Sequence, residues 1–514
     1  MAEFTVGGGA AESVGDEPVL DAQIGGDDLA VDDAAVVETV GDRPHAILTP
    51  SDPQLMPASA VATLATTPAT SGDRALVVGL GRSGQAVARH LLVRGMSVAA
   101  VDDAPSDDAR AAAGALGLAL VEAPSLEALA NLVVRADLVV PSPGVPASHP
   151  VFGLARAAGI PVRGEVELAS RWSICPLVAV TGTNGKTTVT SLIAEMLSAS
   201  GVPSIAAGNI GLPLSDAVAN EDLKVVVAEV SSFQLAFAES FRPVVAVWLN
   251  LAPDHLDWHG DVDSYVAAKA RIWANQGPGD VAVVNADDPV VMAQAGHAPS
   301  RIVTFGLEPD RAMFTVTNGR LRGPDGPIVE VAELSRNLPH DLSNALAASA
   351  AALAAGATVE GVKAALTAFA PLPHRLTLVA YAGGVRWYDD SKATNPHAAV
   401  AAVAGFDSVV LLAGGRNKGL DLSELSEVAD KVRAVVALGE AAPEVAAAFE
   451  GHAPVWVAES MREAVGLAAN VAKPGDVVLL SPGCASFDWY RSYAERGDDF
   501  AAAVHALLET RHAD

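Results

Sequence analysis

The chain has 514 residues, half of them hydrophobic and 18% charged, with a formal net charge of -28. That length favours about three domains, and that acidity argues against a general nucleic-acid binder, which needs a basic surface to displace counterions from phosphates. Two cysteines, Cys175 and Cys484, are too few for a disulfide scaffold and fit a reducing compartment.

Residues 1–72 hold twelve acids and a single Lys or Arg, Arg43. With no sustained periodicity they bury too little apolar surface to offset ordering entropy, so a disordered acidic tail is expected, with Met56 as an alternative start. The N-terminus lacks a basic, apolar leader. The longest apolar stretches, such as 344–355, fall short of the ~20 residues of a membrane span. The expectation is a cytoplasmic monomer with no membrane span and no nucleic-acid partner.

From Arg74 onward, short Val/Leu strands alternate with Ala-rich helices. Strands are expected at 75–79, 97–101 and 137–140, again at 177–180, 225–230 and 244–250, and a third time at 386–389, 408–413, 432–438 and 476–481. Apolar runs separated by helices argue for parallel sheets covered on both faces. The fold class is α/β, with domain boundaries near Glu165 and Pro371 and domains at 73–165, 166–371 and 372–514.

The first domain opens with Gly79-Leu-Gly81-Arg-Ser-Gly84 after a strand, and Asp102 and Asp103 follow about 20 residues on. Alone, this fingerprint points to an NAD-dependent oxidoreductase. The motif reports a pyrophosphate near a helix N-terminus, however, not a nicotinamide. Ser142-Pro-Gly144 forms a second turn beside the same cleft.

The strongest motif is Thr181-Gly-Thr-Asn-Gly-Lys-Thr-Thr188, between a strand and a helix. Across Gly182, Thr183, Asn184 and Gly185 the two glycines let the backbone fold tightly so that N–H groups converge on phosphate oxygens. Lys186 supplies a cation, Thr187 a hydroxyl for Mg²⁺, and Thr188 continues into the helix. A second nucleotide loop makes a two-substrate transferase or ligase more economical than an oxidoreductase. Of eight lysines in the chain, four (Lys186, Lys269, Lys392 and Lys418) lie in motifs.

Glu229 ends a buried strand of the same sheet, well placed for Mg²⁺ or a reacting water. Asn250 follows another strand and leads to Asp254, His255, Asp257 and His259. Zinc is disfavoured there because no cysteine is near; a Mg²⁺-linked His255 competes with a structural one. Lys269 falls on a helix with Tyr265, where an ordinary surface lysine is the plain alternative.

Together these motifs resemble the Mur ligases of bacterial peptidoglycan synthesis. The likeness rests on the phosphate loop, Gly208-Asn-Ile-Gly211, Glu229-Val-Ser-Ser-Phe-Gln234, Asn250 to Asp257, Tyr265 to Lys269, His374-Arg375 and Asp390-Ser-Lys-Ala-Thr-Asn395. Ser481-Pro-Gly-Cys-Ala-Ser-Phe-Asp488 and Arg496-Gly-Asp498 are similar to the members that add D-glutamate. The Asp-Asn-Pro-Arg motif of diaminopimelate- and lysine-adding relatives is absent.

The resemblance implies a Rossmann-like first domain, a central P-loop ATPase-like sheet and a Rossmann-like third domain. It implies ATP-dependent amide ligation of D-glutamate to UDP-N-acetylmuramoyl-L-alanine through an acyl phosphate. Arg82, Ser83, Asp102, Gly144, Asn209 and His255 would hold the UDP substrate. Gly182 to Thr188, Asn344, Arg375 and Asp390 would hold ATP. Lys392, Thr394, Lys418, Ser486, Phe487 and Tyr493 would hold D-glutamate. Lys186, Asn209, Glu229, His255 and Lys269 would be catalytic. Thr187, Glu229, His255 and a carbamylated Lys269 would organise two Mg²⁺ ions. Arg416 stands where some relatives carry an acid, and Asp341 where many carry Asn. The competing readings are a Mur-type or folylpolyglutamate-type ligase using another amino acid, and a P-loop NTPase switch.

Overall fold

The computed structural model describes residues 73–513. The expected acidic tail lies outside the described residues. Strands β1 (Arg74–Val78), β2 (Ser97–Asp102), β3 (Ala119–Glu122) and β4 (Leu138–Pro141) form a parallel sheet in the order β3-β2-β1-β4.

A second parallel sheet holds β5 (Leu177–Thr181), β6 (Ser204–Gly208), β7 (Val225–Glu229), β8 (Val245–Trp248), β9 (Val281–Asn285) and β10 (Arg301–Phe305). Its order is β10-β9-β8-β5-β7-β6. Alternate residues of β5 feed two cores. Val178 and Val180 pack with Leu192, Ile193 and Leu346 on one face. Leu177 and Ala179 pack with Phe241, Trp248 and Trp273 on the other. Burial on both faces is why β5 reads as an unbroken apolar run.

Three short strands, β11 (Thr315–Thr317), β12 (Arg320–Gly323) and β13 (Gly326–Glu330), form an antiparallel meander. The last sheet contains β14 (Thr377–Ala382), β15 (Val385–Asp389), β16 (Val409–Gly414), β17 (Val432–Leu438), β18 (Val455–Ala458) and β19 (Val477–Gly483). It runs β14-β15-β19-β16-β17-β18, parallel except for β14.

The expectation of parallel sheets alone therefore needs correction at β11–β13 and β14. Gly383 and Gly384, with φ of +58° and +79°, close a two-residue hairpin that forces β14 antiparallel to β15. β14 is a half-exposed edge strand. β3 and β18, which the sequence reading did not include, are also partly exposed edge strands.

The chain reverses its direction of travel across the sheet beside β1, beside β5 and around β19. Ligands bind outside the carboxyl ends of strands at such points. No described helix is long and apolar enough to cross a membrane.

Candidate active site

The loop after β5 is shaped by contacts that exclude side chains. Gly182 and Gly185 take φ of +153° and +81°, and a Cβ on Gly182 would come 2.9 Å from the Leu249 Cβ. Asn250, just past β8, pins the loop. Its Oδ1 accepts the N–H groups of Thr183 and Asn184 at 3.0 and 2.8 Å, and its Nδ2 donates to the Asn184 carbonyl at 3.2 Å. The helix Lys186–Ala199 has no side-chain cap on its first N–H groups, which stay available to an anion. Thr187 and Thr188 lie half-buried in its first turn. Lys186 curls back onto the loop, donating to the Gly182 and Thr183 carbonyls at 2.9 Å each.

Lys269 is not a surface lysine. It is 1% exposed, lies 4.6 Å from the centre of the Tyr265 ring, and donates to the same Gly182 carbonyl at 2.7 Å. Burial foremost, and then the Lys186 charge, pull its pKa well below the ordinary lysine value, against the opposing pull of Asp254. Its amine is therefore held toward the neutral form.

Glu229 ends β7 beside this loop. Its Oε1 accepts from Asn209 Nδ2 at 2.8 Å, while Oε2 is buried without a hydrogen-bond partner. Gly208 is required there, because a Cβ at its φ of +97° would strike the Glu229 carbonyl. His255 sits in the left-handed region, φ +56°, stacked edge-on against Phe233. Burial pushes its pKa down to about 4, so the ring is neutral and free to act as a ligand. His259 instead bonds Ser232 Oγ at 2.9 Å, and no three His, Cys, Asp or Glu residues gather as a metal cluster among the described residues.

Two clefts flank this centre. One is lined by Asn184, Gly185, Thr188, Asn344, Arg375 and Asp390, all expected to hold ATP, and by Lys392, expected to hold D-glutamate. The other is lined by Arg82, Ser83, Asp102, Ser142, Gly144 and Asn209, bringing together most of those expected to hold the UDP substrate. Asn209 lines the second cleft and bonds Glu229, so it bridges that cleft to the phosphate loop's sheet.

The expected D-glutamate residues are less uniform. Lys392 lines the first cleft and lies 3.8 Å from the centre of the Tyr493 ring, and burial lowers its pKa to about 8. Lys418 donates to Asp254 at 2.7 Å, Thr394 is half-buried, Ser486 is buried, and Phe487 is 61% exposed. The loops carrying them are tied by Arg496, which donates to the Ser391 and Cys484 carbonyls at 2.9 and 3.1 Å. Asp390 has both oxygens engaged, by Leu376 N–H and Ser481 Oγ, and burial raises its pKa to about 7.

Sequence reading missed Arg336, which explains Asp341. The guanidinium approaches both Asp341 oxygens, at 3.2 and 3.1 Å, and donates to the Arg375 carbonyl. Nothing in the sequence near Arg336 forms a motif. Arg416 pairs with Glu440 on the surface at 2.9 and 3.0 Å.

Residues 73–164 match the MurD-like N-terminal domain of Mur ligases, 180–352 the Mur ligase middle domain, and 374–484 the glutamate ligase domain of Mur ligases. A UDP-N-acetylmuramoylalanine--D-glutamate ligase of Frankia casuarinae is 49% identical over 455 residues, 86% of this chain and 96% of that one. The chain belongs to the Mur ligase family. The enzyme of the same name from Desulfosudis oleivorans is 46% identical, over 86% of this Mur ligase and 98% of its own length. Solved structures share the fold at lower identity. MurF from Acinetobacter baumannii has a TM-score of 0.55 at 20% identity, covering 85% of this Mur ligase and 91% of that chain. A pseudomurein peptide ligase type C from Methanothermus fervidus has 0.54 at 18%, covering 80% and 97%.

Proposed function

We propose that this Mur ligase joins D-glutamate to UDP-N-acetylmuramoyl-L-alanine at the expense of ATP, in peptidoglycan precursor synthesis. The observation that carries this reading is a concentration of positive charge. In a chain of net charge -28, Lys186, Arg375, Lys392 and Lys418 act on one another in one region beside the carboxylates of Glu229, Asp254 and Asp390, with Arg375 and Lys392 lining the first cleft. Such a surplus suits a reaction that brings a triphosphate and two carboxylate substrates together.

In this reading the γ-phosphoryl group of ATP passes to a carboxylate oxygen of the L-alanyl substrate, releasing ADP. The amine of D-glutamate then attacks the acyl carbon, and phosphate leaves the tetrahedral intermediate as the amide forms. The loop Gly182 to Thr188, with Asn344, Arg375 and Asp390, holds ATP. Arg82, Ser83, Asp102, Gly144, Asn209 and His255 hold the UDP substrate. Lys392, Thr394, Lys418, Ser486, Phe487 and Tyr493 receive D-glutamate. Enclosure between domains keeps water from the acyl phosphate.

The donor set fits Mg²⁺. Glu229 Oε2 is a buried hard acceptor without a partner, His255 is neutral, and Thr187 follows the phosphate lysine. Lys269 completes the set as a carbamate: its buried amine faces a carbonyl rather than a carboxylate, and adding CO₂ would replace a suppressed cation with two oxygens. Bound magnesium would offset charge developing on phosphoryl oxygens. The test is ATP-dependent phosphate release with UDP-N-acetylmuramoyl-L-alanine and a panel of D-glutamate, L-glutamate, L-alanine and diaminopimelate. Release and a new amide with D-glutamate alone are expected. Amide formation with another amino acid would move the chain to a different ligase specificity, and phosphate release without an amide would favour an NTPase switch.

A further inference from the structure

Asn184 has a second role that its backbone does not explain. Its side-chain amide faces Asn395 of the third domain, 211 positions away in the chain, in a reciprocal pair. Asn395 Nδ2 donates to Asn184 Oδ1 at 3.1 Å, and Asn184 Nδ2 donates to Asn395 Oδ1 at 3.3 Å. Asn395 is 3% exposed and uses its whole amide. Its Nδ2 also donates to Asp254 Oδ2 at 3.2 Å, and its Oδ1 accepts the Ala398 N–H at 2.9 Å, capping the helix Pro396–Ala404. Asp254 in turn accepts Lys418 Nζ at 2.7 Å.

These bonds form one continuous chain: Asn250 to the phosphate loop, the loop to Asn395, Asn395 to Asp254, and Asp254 to Lys418. One end is the segment whose N–H groups await an anion. The other end carries the third domain's loops, with Lys392 and Thr394 within three residues of Asn395. Asn250 bonds both the N–H and the carbonyl of Asn184 and so fixes the backbone that carries this side chain. A buried amide that loses such a partner is left unsatisfied, which makes the contact sensitive to loop geometry.

We propose that the Asn184–Asn395 amide pair is a clasp that couples occupancy of the phosphate loop to docking of the third domain, and so to binding of the amino-acid acceptor. Asn395 is a positioning residue: it holds Lys392 and Thr394 against the phosphate loop and touches no reacting atom. The clasp rests on the ligase reading above, which the unaltered enzyme tests in the same assays.

Asn395→Asp is the sharpest probe. It keeps the acceptor that caps Pro396–Ala404, but removes the donor to Asn184 and sets a second carboxylate against Asp254. Expected results are ATP-analogue affinity within about twofold of the parent and a KM for D-glutamate raised about tenfold or more. The parent should compact on binding the analogue, read by small-angle scattering, and the variant should not. Asn184→Ala, which also removes the 3.1 Å contact of Asn184 Nδ2 with His397 Nδ1, should raise the same KM, and the double variant should fall short of the product of the two single effects, since both cut the shared amide pair. Should either single variant prove unstable, Asn395→Ser, which retains a cap, is read in the same three measurements. An unchanged KM with normal compaction would overturn the clasp. So would an equal loss of all three substrates' binding with a lowered melting temperature, which marks a purely structural bond. Additive effects in the double variant would overturn the pairing.

Discussion

Two glycine-rich loops in this Mur ligase follow central parallel strands and open helices that lack a side-chain cap. They are held in opposite ways. The first, after β1, is fixed by a carboxylate: Asp102 accepts the Leu80 N–H at 2.7 Å, and Ser142 Oγ donates to the Gly79 carbonyl at 2.6 Å. Its one cation, Arg82, is exposed. The second, after β5, is fixed by the neutral amide of Asn250, and the amines of Lys186 and Lys269 both donate to its Gly182 carbonyl. A loop tethered by an acid grips an anion through backbone N–H groups without concentrating charge. A loop that carries its own lysine can also stabilise charge that develops during phosphoryl transfer.

The contrast breaks most sharply at Lys186. Lys186→Ala removes the loop's own cation and should lower turnover by about a thousandfold or more, with UDP-substrate binding retained in calorimetry. Near-normal ligation by folded protein would show that the two loops do not differ in kind. Next comes Lys269. Lys269→Ala and Lys269→Arg should both lose nearly all activity, because neither side chain carries a carbamate. A short carboxylic acid in solution should partly restore Lys269→Ala alone. Peptide mass and a carbon-13 signal from labelled bicarbonate read the modification directly, and an unmodified Lys269 in fully active enzyme would remove it.

A smaller effect is expected in the first loop. A Cβ at Gly84 would strike the Gly79 carbonyl and come 2.8 Å from Ser142 Oγ. Gly84→Ala should therefore cost about 1–3 kcal/mol of overpacking, felt as a raised KM for the UDP substrate with the KM for ATP unchanged. Equal changes in both would merge the two sites that the clefts separate. The mildest effect is on stability in acid. The folded His255 pKa of about 4 lies below its ordinary value of 6.5, so between these pH values the unfolded chain binds the extra proton. Stability rises with pH across that window and is lost as pH falls through it. The apparent melting temperature of the unliganded protein should drop by about a few degrees from pH 6.5 to 4. His255→Gln should flatten part of that slope.

Local chemistry was legible wherever a few adjacent residues carry it. Strand, glycine loop, Lys-Thr and helix stand in order around Lys186, and β7 visibly ends in Glu229. Those features depend on backbone sterics and on periodicity, which short windows of sequence record. The same windows showed the alternation of strands and helices, but not the antiparallel β14, whose direction follows from a Gly-Gly turn and an exposed edge.

What the sequence determined by itself is the set of parts: two glycine-rich loops that open helices, a strand-end carboxylate, scarce lysines of which half fall in motifs, and the α/β order. Only the tertiary structure decided what those parts do to one another. It buried Lys269 against Gly182 and took away its charge's solvation, left Glu229 Oε2 without a partner, and matched Asp341 to Arg336. It also set Asn395 against Asn184 across 211 residues of chain. Desolvation and pairing energies depend on distances between residues remote in the chain, and no local pattern of residue types records those distances.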